Sequence, residues 1–244
     1  MELNRIYNED CLEGMKRIPD KSIDMILADL PYGTTQNKWD SIIPLEPLWE
    51  QYERVIKENG AIVLTSAQPF TSVLAVSNLG LFRYDFAWDK KQITGFLNAK
   101  KMPLRQHENI LVFYKRSPTY NPQFAFEEPY KIERNNKSEN YGKQTANKTK
   151  SDGRRYPTSV LRIPQVRVKG GHPTQKPVAL FEYLIKTYSN AGDTVLDNVM
   201  GSGTTAIAAI NTKRNFIGFE LDESYYNIAN ERIEKCKELA ETIV

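Results

Sequence analysis

The stretch VLDNVMGSGTT, residues 195–205, carries the strongest pattern in the chain. An apolar run ends in Asp197, and Gly201 and Gly203 follow before a predicted helix. A glycine turn between a strand and a helix lets the backbone approach a ligand closely. Glu220 ends the next predicted strand, where a carboxylate can bind the hydroxyls of a ribose. The pattern therefore predicts a site for a nucleoside-containing cofactor.

Two cofactor classes fit this turn. Residues 201–206 also match the G-x-G-x-x-A pattern, so a nicotinamide dinucleotide stays an alternative. A P-loop is excluded, because no Gly-Lys-Ser or Gly-Lys-Thr follows the turn. Asp197 would repel a pyrophosphate at this helix N-terminus but attract a cationic amino group, which favours S-adenosylmethionine.

Predicted strands alternate with predicted helices on both sides of the turn. The apolar runs predict strands at 23–28, 61–64, 84–88, 109–114, 194–196 and 215–219. Helical spacing and capping signals predict helices at 45–58, after Pro69, after Pro177, at 204–210 and from Asp222 to about 239. This alternation predicts an α/β fold with a doubly wound, mostly parallel sheet.

The tetrapeptide Asp29-Leu30-Pro31-Tyr32 follows the predicted strand 23–28, at the edge where such sheets bind ligands. Asp29 can accept a hydrogen bond from an amino group. Pro31 lacks a backbone N–H, which leaves the Leu30 carbonyl free as a second acceptor, and Tyr32 offers a flat face for stacking. Two acceptors and an aromatic ring suit an exocyclic amine of a nucleobase. Alone the segment would be an ordinary turn, but beside a cofactor site it predicts a substrate pocket.

Positive charge is concentrated between residues 131 and 169. This window holds eleven Lys or Arg residues against three acids, whereas the whole chain carries only +3. It is also rich in small polar residues. One interpretation is a solvated surface insertion, and the other is a loop region that binds a polyanion.

Composition narrows the class of protein. The 244 residues are 40% hydrophobic and 26% charged, and no apolar run approaches the roughly 18 residues of a membrane span. No secretory h-region follows the first residues, and the two cysteines cannot form a disulfide framework. The spacing of the Cys and His residues excludes a zinc site. We therefore expect a soluble, cytoplasmic protein with no structural metal and no membrane partner.

Three segments together resemble one enzyme family. The tetrapeptide at 29–32, the turn at 195–205 and His-Pro-Thr-Gln-Lys-Pro at 172–177 are similar to DNA amino-methyltransferases of the adenine N6 or cytosine N4 kind. The order of the segments resembles the permuted beta group. The resemblance implies a Rossmann-like methyltransferase fold, S-adenosylmethionine as cofactor and duplex DNA as substrate. It is also compatible with a homodimer and with a cognate restriction enzyme as partner in restriction-modification.

The resemblance also implies a domain organisation. Residues 1–115 would form the catalytic half of the methyltransferase domain, and 170–244 would form the cofactor-binding half. Residues 116–169 would be an inserted target-recognition region. Its DNA-binding residues would be Arg154, Arg155, Arg162, Arg167 and Lys169.

Site roles follow from the resemblance as well. The catalytic residues would be Asp29, which accepts a hydrogen bond from the target amine, with Leu30, Pro31 and Tyr32, which stacks on the flipped-out base. Glu220 would bind the cofactor ribose, and Asp10 its adenine. Thr174 and Lys176 would flank the methionine carboxylate. The turn residues at the methionine end would be Asp197, Gly201, Ser202, Gly203 and Thr204. His107-Glu108-Asn109 resembles a further family segment near the target pocket.

The remaining choice concerns the target base and the class of activity. Leu30 replaces the usual first proline of the tetrapeptide, which removes some rigidity but keeps the backbone carbonyl. The tetrapeptide opens with Asp, where cytosine-N4 enzymes generally have Ser, and this favours adenine. Cytosine-N4 methylation stays the alternative. A DNA-binding module without activity is a weaker one, because it has no need of Asp29, Asp197 and Glu220.

Overall fold

A central β-sheet organises the part of the chain that the computed structural model describes, residues 1–33, 41–134, 147–166 and 175–242. The strands of these residues are β1 (Arg5–Tyr7), β2 (Ile23–Ala28), β3 (Ile56–Ser66), β4 (Phe82–Thr94), β5 (Arg105–Phe113), β6 (Ala125–Phe126), β7 (Tyr130–Arg134), β8 (Asn147–Ser151), β9 (Arg154–Arg155), β10 (Val160–Arg162), β11 (Thr194–Asp197) and β12 (Asn215–Phe219). The helices are α1 (Cys11–Met15), α2 (Leu45–Val55), α3 (Phe70–Ser77), α4 (Val178–Tyr188), α5 (Thr204–Asn211) and α6 (Glu223–Thr242).

Eight strands form the main sheet, in the order β1-β12-β11-β2-β3-β5-β4-β10. Neighbouring strands are parallel except around β5, which runs antiparallel to β3 and to β4. The predicted α/β fold with a doubly wound, mostly parallel sheet is confirmed.

Helices cover both faces of the sheet, so its central strands are buried on both sides. Along β2, Met25 and Leu27 pack on the face covered by α4, α5 and α6. Ile26 and Ala28 pack on the face covered by α1, α2 and α3. This double burial explains why β2 reads as a continuous apolar run rather than an alternating one.

The helix predicted at 45–58 was three residues too long. In the structure α2 ends at Val55, and Ile56 already belongs to β3, where it pairs with Ile23 of β2. The next residue, Lys57, forms an ion pair of 2.6 Å with Asp24. Pairing with β2 therefore prevails over the helical spacing of residues 55–58.

Two compact units can be recognised in the chain. The first comprises Met1–Asn121 and Ser159–Val244 and contains the main sheet, and the second comprises Pro122–Thr158. Within the second unit β6 pairs with β9, and β7 pairs with β8. Strand β10 lies inside the predicted insertion 116–169, yet it pairs with β4 of the main sheet.

Among the described residues, no helix combines the length and the apolar composition needed to cross a bilayer. The same residues hold no group of three or more His, Cys, Asp or Glu side chains arranged to bind a metal ion.

Gly203 and Gly192 have nearly equal φ angles but different surroundings. Substituting alanine at each therefore separates the conformational cost of a side chain from its packing cost. Gly203 has φ +83° and Gly192 has φ +88°. A Cβ on Gly203 would lie 3.2 Å from Ala229 Cα of α6, whereas one on Gly192 would meet nothing within 4 Å. Because both alanine variants carry the left-handed penalty of about 1–2 kcal/mol, only Gly203→Ala should add an overpacking cost of about 1–3 kcal/mol.

We therefore predict that Gly203→Ala lowers the free energy of unfolding in urea by more than Gly192→Ala. The matched measurement is the urea midpoint and slope of both variants and the unmodified chain. Equal losses would show that α5 and α6 do not pack closely at this glycine.

Candidate active site

A cavity of about 550 Å³ lies at the carboxyl ends of the central strands. This volume falls within the range of small-molecule sites, roughly 300–1,000 Å³. Most of the predicted site residues line it, namely Asp10, Asp29, Leu30, Pro31, Tyr32, Lys176, Asp197, Gly201, Ser202, Thr204 and Glu220. Gly203 does not line the cavity but ends the turn as the N-cap of α5. The structure thus brings together two motifs that are more than 160 residues apart.

The glycine turn and Glu220 hold each other in place. Gly201 and Gly203 both have positive φ, as the sequence pattern requires. The backbone N–H of Gly201 donates to Glu220 Oε2 at 2.7 Å, and that of Asp222 donates to Oε1 at 2.9 Å. Burial raises the pKa of Glu220. Since a carboxylate can accept about four hydrogen bonds, acceptor positions remain for the hydroxyl groups of a ligand.

Asp197 is a buried carboxylate with hydrogen-bond donors but no described cation beside it. Its side chain accepts from the Val199 N–H at 3.0 Å and from the Thr205 hydroxyl. The residue is 3% exposed, and burial raises its pKa to about 7 despite these donors. A cation that entered the cavity would stabilise the ionised form of this group.

The other predicted cofactor residues are fixed by local contacts. Asp10 caps α1, because its Oδ1 accepts from the backbone N–H of Leu12 at 2.9 Å and of Glu13 at 3.2 Å. The Ser202 hydroxyl hydrogen-bonds with Gln175 Oε1 at 3.1 Å, and the Thr204 hydroxyl donates to the Lys176 carbonyl at 3.5 Å. Thr174 lies outside the described residues.

Asp29 accepts three hydrogen bonds from the protein itself. The Tyr32 hydroxyl donates to Oδ1 at 2.8 Å, and the Thr65 hydroxyl donates to the same oxygen. Lys176 Nζ donates to Oδ2 at 2.8 Å. Because a carboxylate has about four acceptor positions, roughly one remains, and it lies on Oδ2. The side chain is 26% exposed, so this position can be reached from the cavity.

Asp29 is one end of a row of alternating charges. Lys176 Nζ also lies 3.4 Å from Glu108 Oε2, and Lys90 Nζ lies 2.9 Å from Glu108 Oε1. The Lys176 side chain is only 7% exposed, and that of Glu108 is 17% exposed. Burial opposes the charge of Lys176, but Asp29, Tyr32 and Glu108 outweigh it and raise its pKa well above the ordinary value. Burial likewise opposes the charge of Glu108, but Lys176 and Lys90 outweigh it and lower its pKa.

The sequence-based expectation placed Lys176 on the carboxylate of a cofactor. In the structure its ammonium contacts Asp29 and Glu108, while the residue as a whole still lines the cavity. Glu108 belongs to the His107-Glu108-Asn109 segment, so the residue of that segment in contact with the site is the glutamate.

The rest of the tetrapeptide is positioned by β2 and by neighbouring rings. Tyr32 stacks on Phe70, with ring centroids 5.6 Å apart, and Lys176 Nζ lies 5.4 Å from the centre of the Tyr32 ring. Burial and the charge of Asp29 raise the pKa of Tyr32, so its hydroxyl stays protonated and donates to Asp29. Within the described residues, no group donates a hydrogen bond to the Leu30 carbonyl, so the second predicted acceptor is free of protein partners.

The predicted DNA-binding residues are spread over both units. Arg154 is exposed beside Asp152 and lies over the Phe124 ring. Arg155 is more enclosed, because it pairs with Glu127 and lies 4.4 Å from the centre of the Tyr130 ring. Arg162 is exposed on β10 of the main sheet. Arg167 and Lys169 lie outside the described residues.

Sequence reasoning missed several residues that complete the site. Thr65 comes from β3 and Lys90 from β4, and no local motif relates either of them to Asp29. Glu108 of β5 belongs to the segment predicted near the target pocket, but its ion pair with Lys176 was not predicted. Asn198, next to Asp197, also lines the cavity. Its buried side chain accepts from the Tyr52 hydroxyl at 2.5 Å and donates to Cys11 Sγ at 3.5 Å.

This chain is similar to known DNA methyltransferases. The family model described as DNA methylase matches residues 23–231. DNA adenine methyltransferase YhdJ of Escherichia coli (strain K12) is 30% identical, with 96% of this chain and 83% of that protein covered. Type II methyltransferase M1.MboII of Moraxella bovis is 29% identical, with 94% and 96% covered.

A solved structure agrees with these relatives. The crystal structure of the M1.HpyAVI-SAM complex superposes with a TM-score of 0.63 at 25% identity, covering 93% of this chain and 98% of that one. The family model spans most of the chain and includes the segments around Asp29 and Asp197 that line the cavity. The chain therefore belongs to the DNA methylase family.

Proposed function

We propose that this protein is a site-specific DNA methyltransferase that transfers a methyl group from S-adenosylmethionine to the N6 amine of adenine in duplex DNA. One observation carries the proposal: a buried carboxylate suited to a cation and a neutralised carboxylate suited to an amine line the same cavity. The matched relatives support it, because their names describe DNA adenine methylation and an S-adenosylmethionine complex.

The residues of the cavity fit this cofactor. Asp197, whose raised pKa of about 7 reflects an unpaired buried carboxylate, suits the cationic amino group of the methionine end. Gly201, Ser202 and Thr204 form the adjoining turn, where backbone can approach the ligand closely. Glu220 suits the ribose hydroxyls, and Asp10 suits the adenine amino group. When bound, S-adenosylmethionine supplies an activated methyl group.

The Asp29 pocket holds the target amine. The remaining acceptor position on Asp29 Oδ2 and the Leu30 carbonyl would each accept one N–H of the amine. Two fixed acceptors orient the nitrogen, and the negative charge of Asp29 stabilises the positive charge that develops on it. Lys176 holds the orientation of the carboxylate through its hydrogen bond of 2.8 Å to Asp29 Oδ2. Tyr32 supplies an aromatic surface for the base.

The reaction requires the adenine to leave the duplex. Its amino group is paired inside the helix and cannot reach Asp29, so the base must be flipped into the cavity. We assign phosphate and base contacts to Arg154, Arg155, Arg162, Arg167 and Lys169, because such cations neutralise phosphates and an arginine can also bind the edge of a guanine. The division into a catalytic half (1–115), an inserted recognition region (116–169) and a cofactor half (170–244) is part of the same proposal, as are a cytoplasmic location, a homodimer and a cognate restriction enzyme.

The direct test is incubation of the purified chain with labelled S-adenosylmethionine and bacterial genomic DNA. Digestion to nucleosides should give labelled N6-methyl-2′-deoxyadenosine, and sequencing with detection of modified bases should map one recognition sequence. Labelled N4-methyl-2′-deoxycytidine would establish the alternative target. Absence of any labelled nucleoside would leave a DNA-binding module, and reduction of a nicotinamide in a parallel assay would favour the dinucleotide alternative.

Asp29→Ala should remove turnover while leaving cofactor binding intact. Loss of the acceptor for the amine should lower kcat by about 100-fold or more, because groups that stabilise developing charge contribute effects of that size. The measurements are kcat on the mapped duplex and the cofactor Kd by titration calorimetry. Glu50→Ala, an exposed carboxylate on α2, is the matched control and should keep both values. Retained turnover in Asp29→Ala would refute the catalytic assignment.

Lys176→Gln separates a role on Asp29 from a role on the cofactor. Lys176 is one of the two cations that lower the pKa of Glu108, so without it Glu108 should be protonated at higher pH than in the unmodified chain. The acid limb of the kcat/KM profile should therefore move to higher pH, with a nearly unchanged cofactor Kd. Lys186→Gln, on exposed α4 surface, serves as control. A weakened cofactor Kd with an unshifted acid limb would place Lys176 on the cofactor instead.

Cofactor binding should depend on pH through Asp197. Its pKa is raised to about 7 by burial, so about half of the sites are protonated at pH 7 and most at pH 6. A cationic ligand binds the ionised form, so affinity should rise from pH 6 to about 7.5 with release of a proton. It should fall above about pH 8, where an α-amino group loses its charge.

Titration calorimetry in two buffers with different ionisation enthalpies measures this proton release. Asp197→Asn should bind more weakly and release no proton, whereas Asp193→Asn, in the turn before β11, should behave like the unmodified chain. An affinity that stays constant from pH 6 to 7.5 would contradict the pairing with Asp197.

A further inference from the structure

Among the described residues, the turn between β4 and β5 groups several exposed apolar side chains. It comprises residues 95–104 and includes a short 3₁₀ helix at Phe96–Asn98. Leu97 is fully exposed and Phe96 is 67% exposed, with Met102 exposed nearby. Large apolar side chains grouped at one exposed point commonly mark an interaction site.

Positive charge surrounds these apolar side chains. Residues 91–105 contain Lys91, Lys100, Lys101 and Arg105 and no acidic residue. Among the described residues, Lys100, Lys101 and Arg105 form no ion pair, although Lys91 pairs with Asp89. We call residues 95–104 the tip of the hairpin. Its apolar side chains suit the stacked bases of a nucleic acid and its cations suit the phosphates, whereas another cationic surface would be repelled.

Topology places the tip at the edge of the sheet where the cavity opens. Strands β3 and β4 both run antiparallel to β5, so β4 ends at the same edge as β2 and β3. Near this edge Trp88 pairs with Glu108, the residue that contacts Lys176. From the Asp89–His107 pair to the Thr94–Arg105 pair, β5 advances by two residues, about 7 Å at roughly 3.3 Å per residue, while β4 bulges over the same stretch. The turn therefore lies beyond the strand ends at this edge of the sheet.

We propose that Phe96 and Leu97 enter the duplex beside the target base and stabilise its extruded state, while Lys100, Lys101 and Arg105 contact the flanking phosphates. The inference rests on the proposed function and adds the element that opens the DNA. Extruding a base leaves a gap in the stack, and proteins that distort DNA fill such gaps with Phe, Leu or Met side chains.

A second copy of this chain is the competing occupant. An interface formed by the same tip on both copies would bring two sets of unpaired cations together. Like charges in contact oppose association, whereas DNA phosphates neutralise them and release counterions. The charge pattern therefore favours DNA.

The test uses the double variant Phe96→Ala/Leu97→Ala and three DNAs that contain the mapped recognition sequence. These are the paired duplex, the same duplex with an abasic site opposite the target adenine, and the single strand. We call Phe96 and Leu97 the wedge, because they would fill the gap that the flipped base leaves in the stack. The wedge is needed only when a paired base must be opened. We expect kcat/KM to fall about 10- to 100-fold on the paired duplex and to change little on the other two DNAs.

Leu79→Ala is the matched control. This leucine is 64% exposed but precedes β4, at the opposite edge of the sheet, and its variant should retain activity on all three DNAs. In a second measurement, Lys100→Gln/Lys101→Gln should reduce the slope of log Kd against log salt by about 2. An unchanged slope would remove these lysines from the phosphates.

The outcomes distinguish the wedge from the proposed function. If the unmodified chain methylates no DNA, the proposed function fails. If it is active and the double variant equals it on all three DNAs, the wedge alone is refuted. An equal loss on all three DNAs also refutes it, and light scattering that shows a dimer becoming a monomer would then identify a second copy as the occupant.

Discussion

The ion pair between Lys176 and Asp29 is the contact on which the substrate side of the cavity depends. The ammonium is almost fully removed from water, and such a charge costs several kcal/mol unless opposite charges compensate it. Asp29 and Glu108 compensate Lys176, and Lys90 in turn compensates Glu108. Removal of any one member would leave a buried charge uncompensated. The row therefore fixes the position of the Asp29 carboxylate more firmly than its loop could.

This row also joins the two kinds of strand in the sheet. Asp29 follows parallel strand β2, Glu108 lies on antiparallel strand β5, and Lys90 lies on β4. On the other side, β11 pairs directly with β2, with Leu196 opposite Ile26, so Asp197 emerges beside Asp29. The parallel pair thus brings the two carboxylates to one edge, and the antiparallel pair supplies the charges that hold one of them.

Local sequence was sufficient to predict the parts of the site that a short segment determines. The glycine turn has the positive φ angles that its residues require, and Asp29 follows the buried strand that its apolar run predicts. Thr65 and Lys90 could not be assigned in this way, because their relation to Asp29 arises from pairing between distant strands. The same pairing brings Glu108, whose segment was predicted near the target pocket, to Lys176. The three-residue strands β1 and β10 were missed since so short a segment carries no periodic pattern, and α2 ends early because β3 pairs with β2. Patterns over five to ten residues predict elements, whereas side-chain partners depend on the register of the sheet.

Asp29 and Asp197 differ in whether a cation lies beside them, and this difference supports the ligand proposed for each. Asp29 already has a cation, so its charge is satisfied and only an acceptor position remains, which suits a neutral amine. Among the described residues, Asp197 has a hydroxyl and an amide donor but no cation, and burial therefore favours its protonated form. A cationic ligand removes that penalty, and a neutral one does not. If the base amine were placed at Asp197 and the cofactor amine at Asp29, the cofactor would meet Lys176 as a like charge. Under the proposed function, the positions of the lysine and of the acid without a described cation would therefore set the direction in which methyl donor and acceptor face each other.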